Sequence, residues 1–449
     1  MHVTQYTTIL NHPLWQIPAC EMGTPMASAA TVEFGNEPLP HPVQGFGAAL
    51  TGSSCYNLSL MEKEERKKLL RELYGSDGLG LSMARLTVGS SDYSPELYTY
   101  DDVPGDTELT HFSTARDEKY IFPMIKEVLE EAPDLYLYAS PWSPPGWMKT
   151  GGLIPGGYMR DAYISCYVGY YMKYLEDCDR HGIHVRALTP QNEPDTDTNG
   201  HYPGCRWHPE TEAKFIHEMY AALKAAGRDT KIWMFDHNFN GWRRVQWMLR
   251  EDPKLLEEVD SASFHYYEEC AEFTDVLTRE FPGLKLQFTE GGPRVYDHYD
   301  SDHCKWGLVM TRAFRHGCRS FTGWNLILDE TGGPNIGPFF CAGLVARDSR
   351  TGAISYSGQY RAFAHFTKFL QPGARVLPCR ILNDGLKFFH YPETGTPADG
   401  CAFRNPDGST VLVLTNPSGD RKQLQCQLDG KWYYLSLLPD SISTVIAKK

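Results

Sequence analysis

The sequence contains no long hydrophobic run, no excess of positive charge and no dense set of cysteines. No segment reaches the roughly 18 consecutive apolar residues of a transmembrane helix, so we expect no membrane insertion. Lys and Arg number 43 against 56 Asp and Glu, which gives a net charge of −13. Because this sign opposes binding to phosphate backbones and anionic lipids, we also expect no nucleic-acid partner.

Targeting, redox and cofactor motifs are absent as well. Residues Met1 to Tyr6 show no basic segment followed by an apolar one, and the 12 cysteines form no C-x-x-C pair. We therefore interpret the cysteines as reduced thiols and expect a cytoplasmic location. The sequence has no P-loop, no G-x-S-x-G elbow and no complete dinucleotide fingerprint, and the acidic, His-containing stretch from Asp297 to His303 lacks regular ligand spacing. These absences predict no cofactor and no functional metal.

What the sequence does contain is an alternation of short apolar runs with helical patterns. Eight runs are predicted as strands: Val43 to Leu50, Leu81 to Val88, Leu135 to Trp142, Val185 to Gln191, Lys231 to Asp236, Ala262 to Tyr267, Leu284 to Thr289 and Cys318 to Asn325. Strands that alternate with helices favour parallel pairing by right-handed crossovers, and eight such units close into a (β/α)8 barrel. We predict an α/β fold with this barrel over residues 43–371.

After residue 372 short strands separated by turns dominate, which predicts a small antiparallel β-sandwich over residues 372–449. Its predicted strands are Leu386 to Tyr391, Cys401 to Arg404, Thr410 to Asn416, Gln423 to Leu428, Trp432 to Leu438 and Ser443 to Ala447. Residues 1–42 are too few for a domain, so we expect them to add strands to this sandwich.

Two glutamates occupy the positions where a barrel of this kind carries its reactive groups. Glu193 follows the fourth predicted strand and Glu290 follows the seventh. The C-terminal ends of barrel strands form the active face, so the two carboxylates should face one another across its mouth. Paired carboxylates cleave glycosidic bonds, with retention of configuration when they stand roughly 5 to 5.5 Å apart. We expect Pro194 to hold Glu193 in an extended conformation.

Several motifs in sequence order resemble glycoside hydrolase family 30, a family of retaining β-glycosidases with a (β/α)8 barrel and a side β-sandwich, which includes lysosomal glucosylceramidase. The stretches that carry the resemblance are 45–49 (GFGAA), 84–86 (ARL), 92–94 (DYS), 139–149 (ASPWSPPGWMK), 191–194 (QNEP), 264–267 (FHYY), 289–291 (TEG), 323–325 (GWN) and 332–335 (GGPN). The resemblance runs from about residue 15 to the C-terminus.

The resemblance implies a role for each matching position. Glu193 would be the acid/base and Glu290 the nucleophile. The substrate-binding candidates are Arg85 and Tyr267, which would contact Glu290; Asn192, for the sugar 2-hydroxyl; Asp92, for hydroxyls of a terminal sugar; Trp142, Trp324 and Tyr93, as apolar walls; and His265 and Asn335 at the rim.

The sequence therefore predicts a retaining, exo-acting β-glycosidase whose substrate is a small β-glycoside or oligosaccharide, with terminal glucose as the first choice of sugar. Xylose, fucose and galactose remain open as the sugar released. Endo-acting cleavage, for instance of β-1,6-glucan, is a second hypothesis, and a non-catalytic sugar-binding protein is a remote third.

Overall fold

The structure is a computed structural model that describes residues 2–10, 12–268, 271–382 and 397–448. The chain divides into two compact units. One consists of Met1–Gly45, Tyr296–Ser320 and Tyr356–Lys449, and the other of Phe46–Val295 and Phe321–Ser355. Within the described ranges, no helix has both the length and the apolar character needed to cross a membrane.

The N-terminal segment forms short strands before the barrel begins: β1 (His2–Ile9), β2 (His12–Ile17), β3 (Cys20–Met22) and β4 (Ala30–Phe34). In β4, Ala30 and Val32 are buried while Thr31 and Glu33 are more exposed. This alternation is typical of a strand that covers a core on one side. The segment is thus built to complete a sheet.

Eight parallel strands close the barrel, which confirms the predicted fold: β5 (Gly45–Leu50), β6 (Met83–Thr87), β7 (Tyr136–Ser140), β8 (Val185–Leu188), β9 (Lys231–Asn238), β10 (Ser261–His265), β11 (Lys285–Glu290) and β12 (Cys318–Gly323). Their residues are mostly buried, because in a barrel one face of each strand meets the interior and the other meets the helices. All eight predicted strand regions overlap these elements.

The helices follow the predicted alternation with additions: α1 (Gly52–Ser59), α2 (Lys63–Tyr74), α3 (Ile121–Glu131), α4 (Ile164–Arg180), α5 (Pro209–Ala225), α6 (Trp242–Glu251), α7 (Leu255–Glu258), α8 (Thr274–Glu280), α9 (His303–Arg315) and α10 (Gly358–Thr367). In α2, Leu69, Leu70 and Leu73 lie on the buried face, and the charged residues other than the buried Arg66 lie outside. Helix α1 was not predicted, and its start depends on Thr51, whose hydroxyl accepts a hydrogen bond from the Ser54 N–H.

The remaining strands form a small sheet and the sandwich: β13 (Ile327–Asp329), β14 (Val345–Arg347), β15 (Ile354–Tyr356), β16 (Arg375–Leu377), β17 (Cys379–Leu382), β18 (Asp399–Arg404), β19 (Thr410–Asn416), β20 (Lys422–Leu428), β21 (Lys431–Leu437) and β22 (Ser441–Lys448). Strands β13 to β15 pair with one another. The strand predicted at Leu386 to Tyr391 lies outside the described residues.

Both sheets of the sandwich combine N-terminal and C-terminal strands. One has the order β16-β18-β19-β22-β1-β2, and the other has the order β17-β4-β20-β21-β3. Strand β1 pairs antiparallel with β22, while β4 pairs in parallel with β20. Side chains from both sheets, among them Val32, Leu412 and Leu424, meet in one buried apolar cluster. The expected contribution of residues 1–42 to the sandwich is therefore present.

Candidate active site

Glu193 and Glu290 meet at the mouth of the barrel. Glu193 follows β8 and Glu290 is the last residue of β11. One carboxylate oxygen of each and one ring nitrogen of His265 all lie within 4.8 Å of one another. Glu290 is 5% exposed, and the side chain of Glu193 is 18% exposed. Two strands that are three units apart in the chain thus bring their carboxylates within reach of one small ligand.

The backbone of Glu193 is left-handed, with φ = 49°. The extended conformation that we expected from Pro194 is therefore wrong. The Glu193 N–H donates to the Asp236 carbonyl at 3.0 Å, and its carbonyl accepts from the Thr196 N–H at 3.0 Å. These hydrogen bonds hold a conformation that costs a non-glycine residue about 1–3 kcal/mol, and such strain is typical of functional sites.

Two donors fix the carboxylate of Glu290. Arg85, fully buried, forms an ion pair with its Oε2, and the Tyr267 hydroxyl donates to its Oε1 at 2.8 Å. Burial raises the pKa of Glu290, while the charges of His265 and Arg85 act in the opposite direction. The two cations therefore offset part of the cost of placing this carboxylate in a dry site.

Glu193 has histidine neighbours instead of an arginine. Its Oε1 lies 3.2 Å from His265 Nδ1 and 4.0 Å from His237 Nε2, and its Oε2 accepts from the Thr196 hydroxyl at 3.2 Å. Burial acts to raise the pKa of Glu193, but the hydrogen bond with His265 and the charge of His237 hold it below its ordinary value. The two glutamates thus have chemically different surroundings.

The sequence analysis missed Asp236, which is completely buried behind this pair. Its Oδ2 accepts hydrogen bonds from Arg85 at 2.8 Å, Ser140 at 2.8 Å and Thr189 at 2.7 Å. Its Oδ1 accepts from Thr289 at 2.6 Å and faces a ring nitrogen of His265. Burial acts to raise the pKa of Asp236, but the Arg85 charge and these hydrogen bonds hold it well below its usual range. The available signal was its place at the end of the fifth predicted strand.

Asp92 carries a buried carboxylate oxygen without a partner in the described chain, near the two glutamates. It is 5% exposed, and its Oδ1 has no hydrogen-bond partner among the described residues. Burial and the nearby charges of Glu290 and Glu193 raise the pKa of Asp92 well above its usual value. A buried oxygen without a partner is costly unless something occupies the site. Sugar hydroxyls would satisfy it.

Aromatic rings form the wall next to Arg85. The rings of Trp142 and Trp324 stack with centroids 5.0 Å apart, and the Arg85 guanidinium lies 4.8 Å from the Trp142 ring. Tyr93 meets Trp324 edge-on at 5.8 Å, and its hydroxyl donates to the Phe339 carbonyl at 3.2 Å. Trp142 and Trp324 are less than 4% exposed, so this wall is rigid before any ligand arrives.

Two amide side chains have contrasting partners. Asn192 Oδ1 accepts from Arg85 Nη2 at 2.7 Å, which turns its amide nitrogen away from the guanidinium. Asn335 Nδ2 donates to the carbonyls of Gly332 at 3.4 Å and Phe339 at 3.2 Å. Asn192 thus lies within the charged cluster, whereas the contacts of Asn335 stabilise its own loop.

Tyr202, also missed by the sequence analysis, lies at the rim of the mouth. Its ring meets that of Phe339 at a centroid distance of 5.2 Å and an angle of 73°. Tyr202 belongs to the segment after β8, the fourth barrel strand, and Phe339 to the segment after β12, the eighth. Strands four and eight lie on opposite sides of an eight-stranded barrel, so this contact bridges the mouth. A Cβ atom added at Gly337, two residues before Phe339, would lie 3.0 Å from the Cβ of Asp92. The segment that carries Phe339 therefore passes close to Asp92.

A buried lysine holds the rim segment that carries Tyr202. Lys149 Nζ, with three N–H donors, is surrounded by four acceptors: the Ser143 hydroxyl at 2.7 Å and the carbonyls of Ile154, Gly156 and Gly204 at 2.5, 2.7 and 2.9 Å. A charged donor to several carbonyls makes hydrogen bonds stronger than neutral ones. The contacts of Lys149 therefore hold the segment around Tyr202 in place.

Two groups in the described residues have ligand atoms close enough for a metal: Glu193, His265 and Glu290, and separately His303, Cys304 and Asp440. In the first group both nitrogens of His265 already face carboxylates. In the second, burial raises the pKa of the Cys304 thiol, and a thiolate is the form that binds metals. Neither arrangement favours a metal ion over the hydrogen bonds present.

Two family models match the chain. One, described as the glycosyl hydrolase family 30 TIM-barrel domain, covers residues 43–370, and the other, the glycosyl hydrolase family 30 beta sandwich domain, covers residues 393–445.

Similar proteins include putative glucosylceramidase 4 from Caenorhabditis elegans, 29% identical over 91% of this chain and 81% of the relative. The endo-1,6-beta-D-glucanase of Neurospora crassa is 28% identical over 90% of this chain and 86% of that protein. The solved structure of the endo-beta1,6-glucanase BT3312 matches with a TM-score of 0.85 at 26% identity, covering 100% of both chains.

Proposed function

This chain belongs to glycosyl hydrolase family 30, and on that premise we propose that it is a retaining, exo-acting β-glucosidase. It is a glycoside hydrolase and its substrate is a carbohydrate. The stereochemical course, the sugar released and the position of the cleaved bond are the parts that we propose. Glucose is the proposed terminal sugar, as the sequence predicts.

The separation of the two glutamates is the observation that supports retention. One oxygen of Glu193 and one of Glu290 lie within 4.8 Å of one another. Retaining enzymes hold their carboxyl groups about 5–5.5 Å apart, whereas inverting enzymes need roughly 6.5–9.5 Å to admit a water molecule. The spacing here favours direct attack by one carboxylate on the sugar.

In this mechanism Glu290 attacks the anomeric carbon and Glu193 protonates the departing oxygen. The C–O bond to the leaving group breaks as the bond to Glu290 forms, which leaves a glycosyl ester on the protein. Glu193, now ionised, removes a proton from water, and the oxygen of that water displaces Glu290. Arg85 and Tyr267 hold the Glu290 oxygens in place for the attack.

The bridge between Tyr202 and Phe339 supports cleavage at a chain end. It joins opposite sides of the mouth next to Asp92, whose Oδ1 has no partner among the described residues. A mouth closed there leaves room for a terminal sugar whose hydroxyls reach Asp92, and it obstructs a longer chain.

Endo-acting cleavage of β-1,6-glucan is the second candidate, favoured by the similarity to the Neurospora endo-1,6-beta-D-glucanase and to the endo-beta1,6-glucanase BT3312. Xylose, fucose and galactose are alternative terminal sugars. 4-Nitrophenyl glycosides of the four sugars, together with β-1,6-linked glucose oligomers labelled at the reducing end, separate these candidates. Single glucose units released from the unlabelled end support our proposal, and a mixture of shorter oligomers from the start of the reaction contradicts it.

A pair of variants tests the roles of the glutamates with one activated substrate, 2,4-dinitrophenyl β-glucoside, and added azide. With Glu290→Ala we expect azide to restore turnover and to give the α-glucosyl azide, because azide replaces the missing nucleophile. With Glu193→Ala we expect the β-glucosyl azide, because azide then intercepts the glycosyl ester. NMR of the products distinguishes the two anomers, and the opposite assignment would mean that the roles are exchanged.

The cytoplasmic location stays a prediction. It is supported by the free thiols of the eleven cysteines in the part of the chain that the structure describes, since a reducing compartment keeps thiols unpaired. Fractionation of the source cells tests it.

A further inference from the structure

A chain of hydrogen bonds runs from Glu193 through His265 to Asp236. His265 Nδ1 lies 3.2 Å from Glu193 Oε1, and Nε2 lies 3.1 Å from Asp236 Oδ1. His265 and Asp236 are both completely buried. The imidazole therefore connects the proposed acid to a carboxylate that is too deep to touch a sugar.

The partners of Asp236 decide which nitrogen of His265 carries hydrogen. Asp236 is ionised beside Arg85, so it only accepts hydrogen bonds. His265 Nε2 must then donate its hydrogen to Oδ1. Since Nε2–H is fixed in this way, Nδ1 is the one ring nitrogen whose protonation changes, and it faces Glu193.

From this geometry we propose that the catalytic proton of Glu193 is shared with His265 Nδ1, and that Asp236 is the positioning residue that makes this sharing possible. The proposal rests on the proposed function of Glu193. In the resting protein one proton lies between Nδ1 and Oε1. During cleavage the Nδ1–H bond breaks, the proton passes to the Glu193 carboxylate, and from there it bonds to the departing oxygen.

His265 ends this step neutral, with Nε2–H still donated to Asp236. The water that hydrolyses the glycosyl ester returns a proton to the pair formed by Glu193 and His265, so the cycle closes without another acid or base. The role of Asp236 matches that of the buried aspartate which fixes the histidine tautomer in serine proteases.

Of the other titratable groups around His265, Glu290 favours a proton on the ring. Glu290 Oε1 lies 3.9 Å from Nδ1, and the rings of His237 and Tyr267 lie 6.2 Å away. Burial acts to lower the pKa of His265, but the Glu290 charge and the hydrogen bonds with Asp236 and Glu193 raise it to about 9. The imidazole can therefore hold the proton that the acid needs at neutral pH.

The variant Asp236→Asn tests the proposal because its amide can bind in one orientation only. Oδ2 accepts from Arg85, Ser140 and Thr189, so the amide oxygen must take that position. The amide nitrogen then faces His265 Nε2 and donates to it. This forces hydrogen onto Nδ1 of a neutral ring, which donates to Glu193 and keeps Glu193 ionised. The variant thus retains the ionised Glu193 that removes a proton from water, and it loses the proton that Glu193 needs to protonate the departing oxygen.

We compare a substrate that needs an acid, methyl β-glucoside, with one that does not, 2,4-dinitrophenyl β-glucoside. General acid catalysis contributes roughly 10²–10⁴-fold, so we expect Asp236→Asn to lose about that factor on the methyl glucoside. On the dinitrophenyl glucoside we expect a loss below about tenfold, without any need for azide. An equal loss on both substrates would overturn the proposal, because it would mean that Asp236 only maintains the fold.

Ser140→Ala is the matched control, since it removes another donor to Asp236 and leaves His265 in place. We expect its losses on the two substrates to be similar. If Asp236→Asn does not fold, His265→Gln replaces it. The glutamine amide can form hydrogen bonds but cannot transfer a proton to Glu193 near neutral pH, so this variant should show the same selectivity for leaving groups. Equal losses on the two substrates with His265→Gln would also overturn the proposal.

A measurement without substrate separates this proposal from the proposed function. ¹⁵N NMR of the imidazole should show protonated Nε2 in the natural protein and unprotonated Nε2 in Asp236→Asn. If no β-glucoside is hydrolysed at all, the proposed function fails. The NMR measurement of the His265 tautomer still tests whether the hydrogen-bond chain from Glu193 to Asp236 exists. Unprotonated Nε2 in the natural protein would overturn the inference.

Discussion

At the scale of single residues, the partners of a carboxylate decide what it can do. Glu290 and Asp236 each contact Arg85, Glu193 contacts histidine, and Asp92 keeps a buried oxygen without a partner among the described residues. A carboxylate tied to arginine remains a fixed anion, one shared with histidine exchanges a proton, and one without a donor is prepared for a ligand. These contacts support three different roles for one kind of side chain.

Asp92→Ala should weaken glucoside hydrolysis because it removes an acceptor for sugar hydroxyls. Removing one partner of a buried hydrogen bond costs about 1–3 kcal/mol, so we expect kcat/KM for the 4-nitrophenyl glucoside to fall roughly 5- to 150-fold. Deoxyglucosides provide the control. The one that lacks the bound hydroxyl should be cleaved equally well by the natural protein and by the variant, and an equal loss on every deoxyglucoside would contradict this role.

Glu193 shows why residue conformation could not be predicted from the sequence. The residue before a proline favours extended backbone because of local steric contacts. Here the Glu193 N–H donates to the Asp236 carbonyl, which belongs to a strand more than forty residues later, and φ is 49°. Asp236 itself went unnoticed because the five side chains that form hydrogen bonds with its carboxylate come from five other parts of the chain. Such long-range contacts leave no local pattern in the sequence.

At the scale of elements, the barrel strands were predictable and the rim was not. Apolar, β-branched runs in alternation with helices indicate the strands directly, and the ends of those strands located Glu193 and Glu290. Helix α1 has the sequence GSSCYNLS, which lacks a clear apolar period and depends on the cap at Thr51. The contact between Tyr202 and Phe339 joins two irregular segments, for which no periodicity exists.

Phe339→Ala should open the mouth next to Asp92, because it removes the ring that Tyr202 meets. On β-1,6-linked glucose oligomers we expect the ratio of internal to terminal cleavage to rise roughly tenfold, equivalent to about 1.4 kcal/mol in the barrier difference. Chromatography of end-labelled oligomers measures this ratio. Phe273→Ala is the matched control, since Phe273 is 45% exposed against 42% for Phe339 and stacks on Trp242 instead. An unchanged ratio in Phe339→Ala would contradict the closed mouth.

At the scale of the whole molecule, the chain needs its N-terminal segment as much as its barrel. Strand β4 lies between β17 and β20, and β1 lies between β22 and β2. Removing either strand would leave the hydrogen-bonding edges of two neighbours without partners. The match to the barrel model begins at residue 43, yet that residue is not where an independently stable chain should begin.

A chain that starts at residue 43 should therefore aggregate or show lower β-sheet content than the full chain. Circular dichroism and size-exclusion chromatography measure both properties. Val32→Asp tests the same point at full length, because Val32 is 2% exposed in the sandwich core and a buried charge without a partner is strongly destabilising. Glu33→Ala, on the exposed side of β4, is the control and should change the stability by less than about 1 kcal/mol. A stable, monodisperse chain from residue 43 would contradict this dependence.

The pairing of β1 with β22 has a consequence during synthesis on the ribosome. The side chains of Gln5 and Ser443 form a hydrogen bond across a separation of 438 residues. Strand β1 leaves the exit tunnel before the barrel strands, yet its partner β22 appears only after every barrel strand has been translated. The edge of β1 that pairs with β22 therefore stays exposed while the barrel is being synthesised. A chaperone would protect the nascent chain most during this interval.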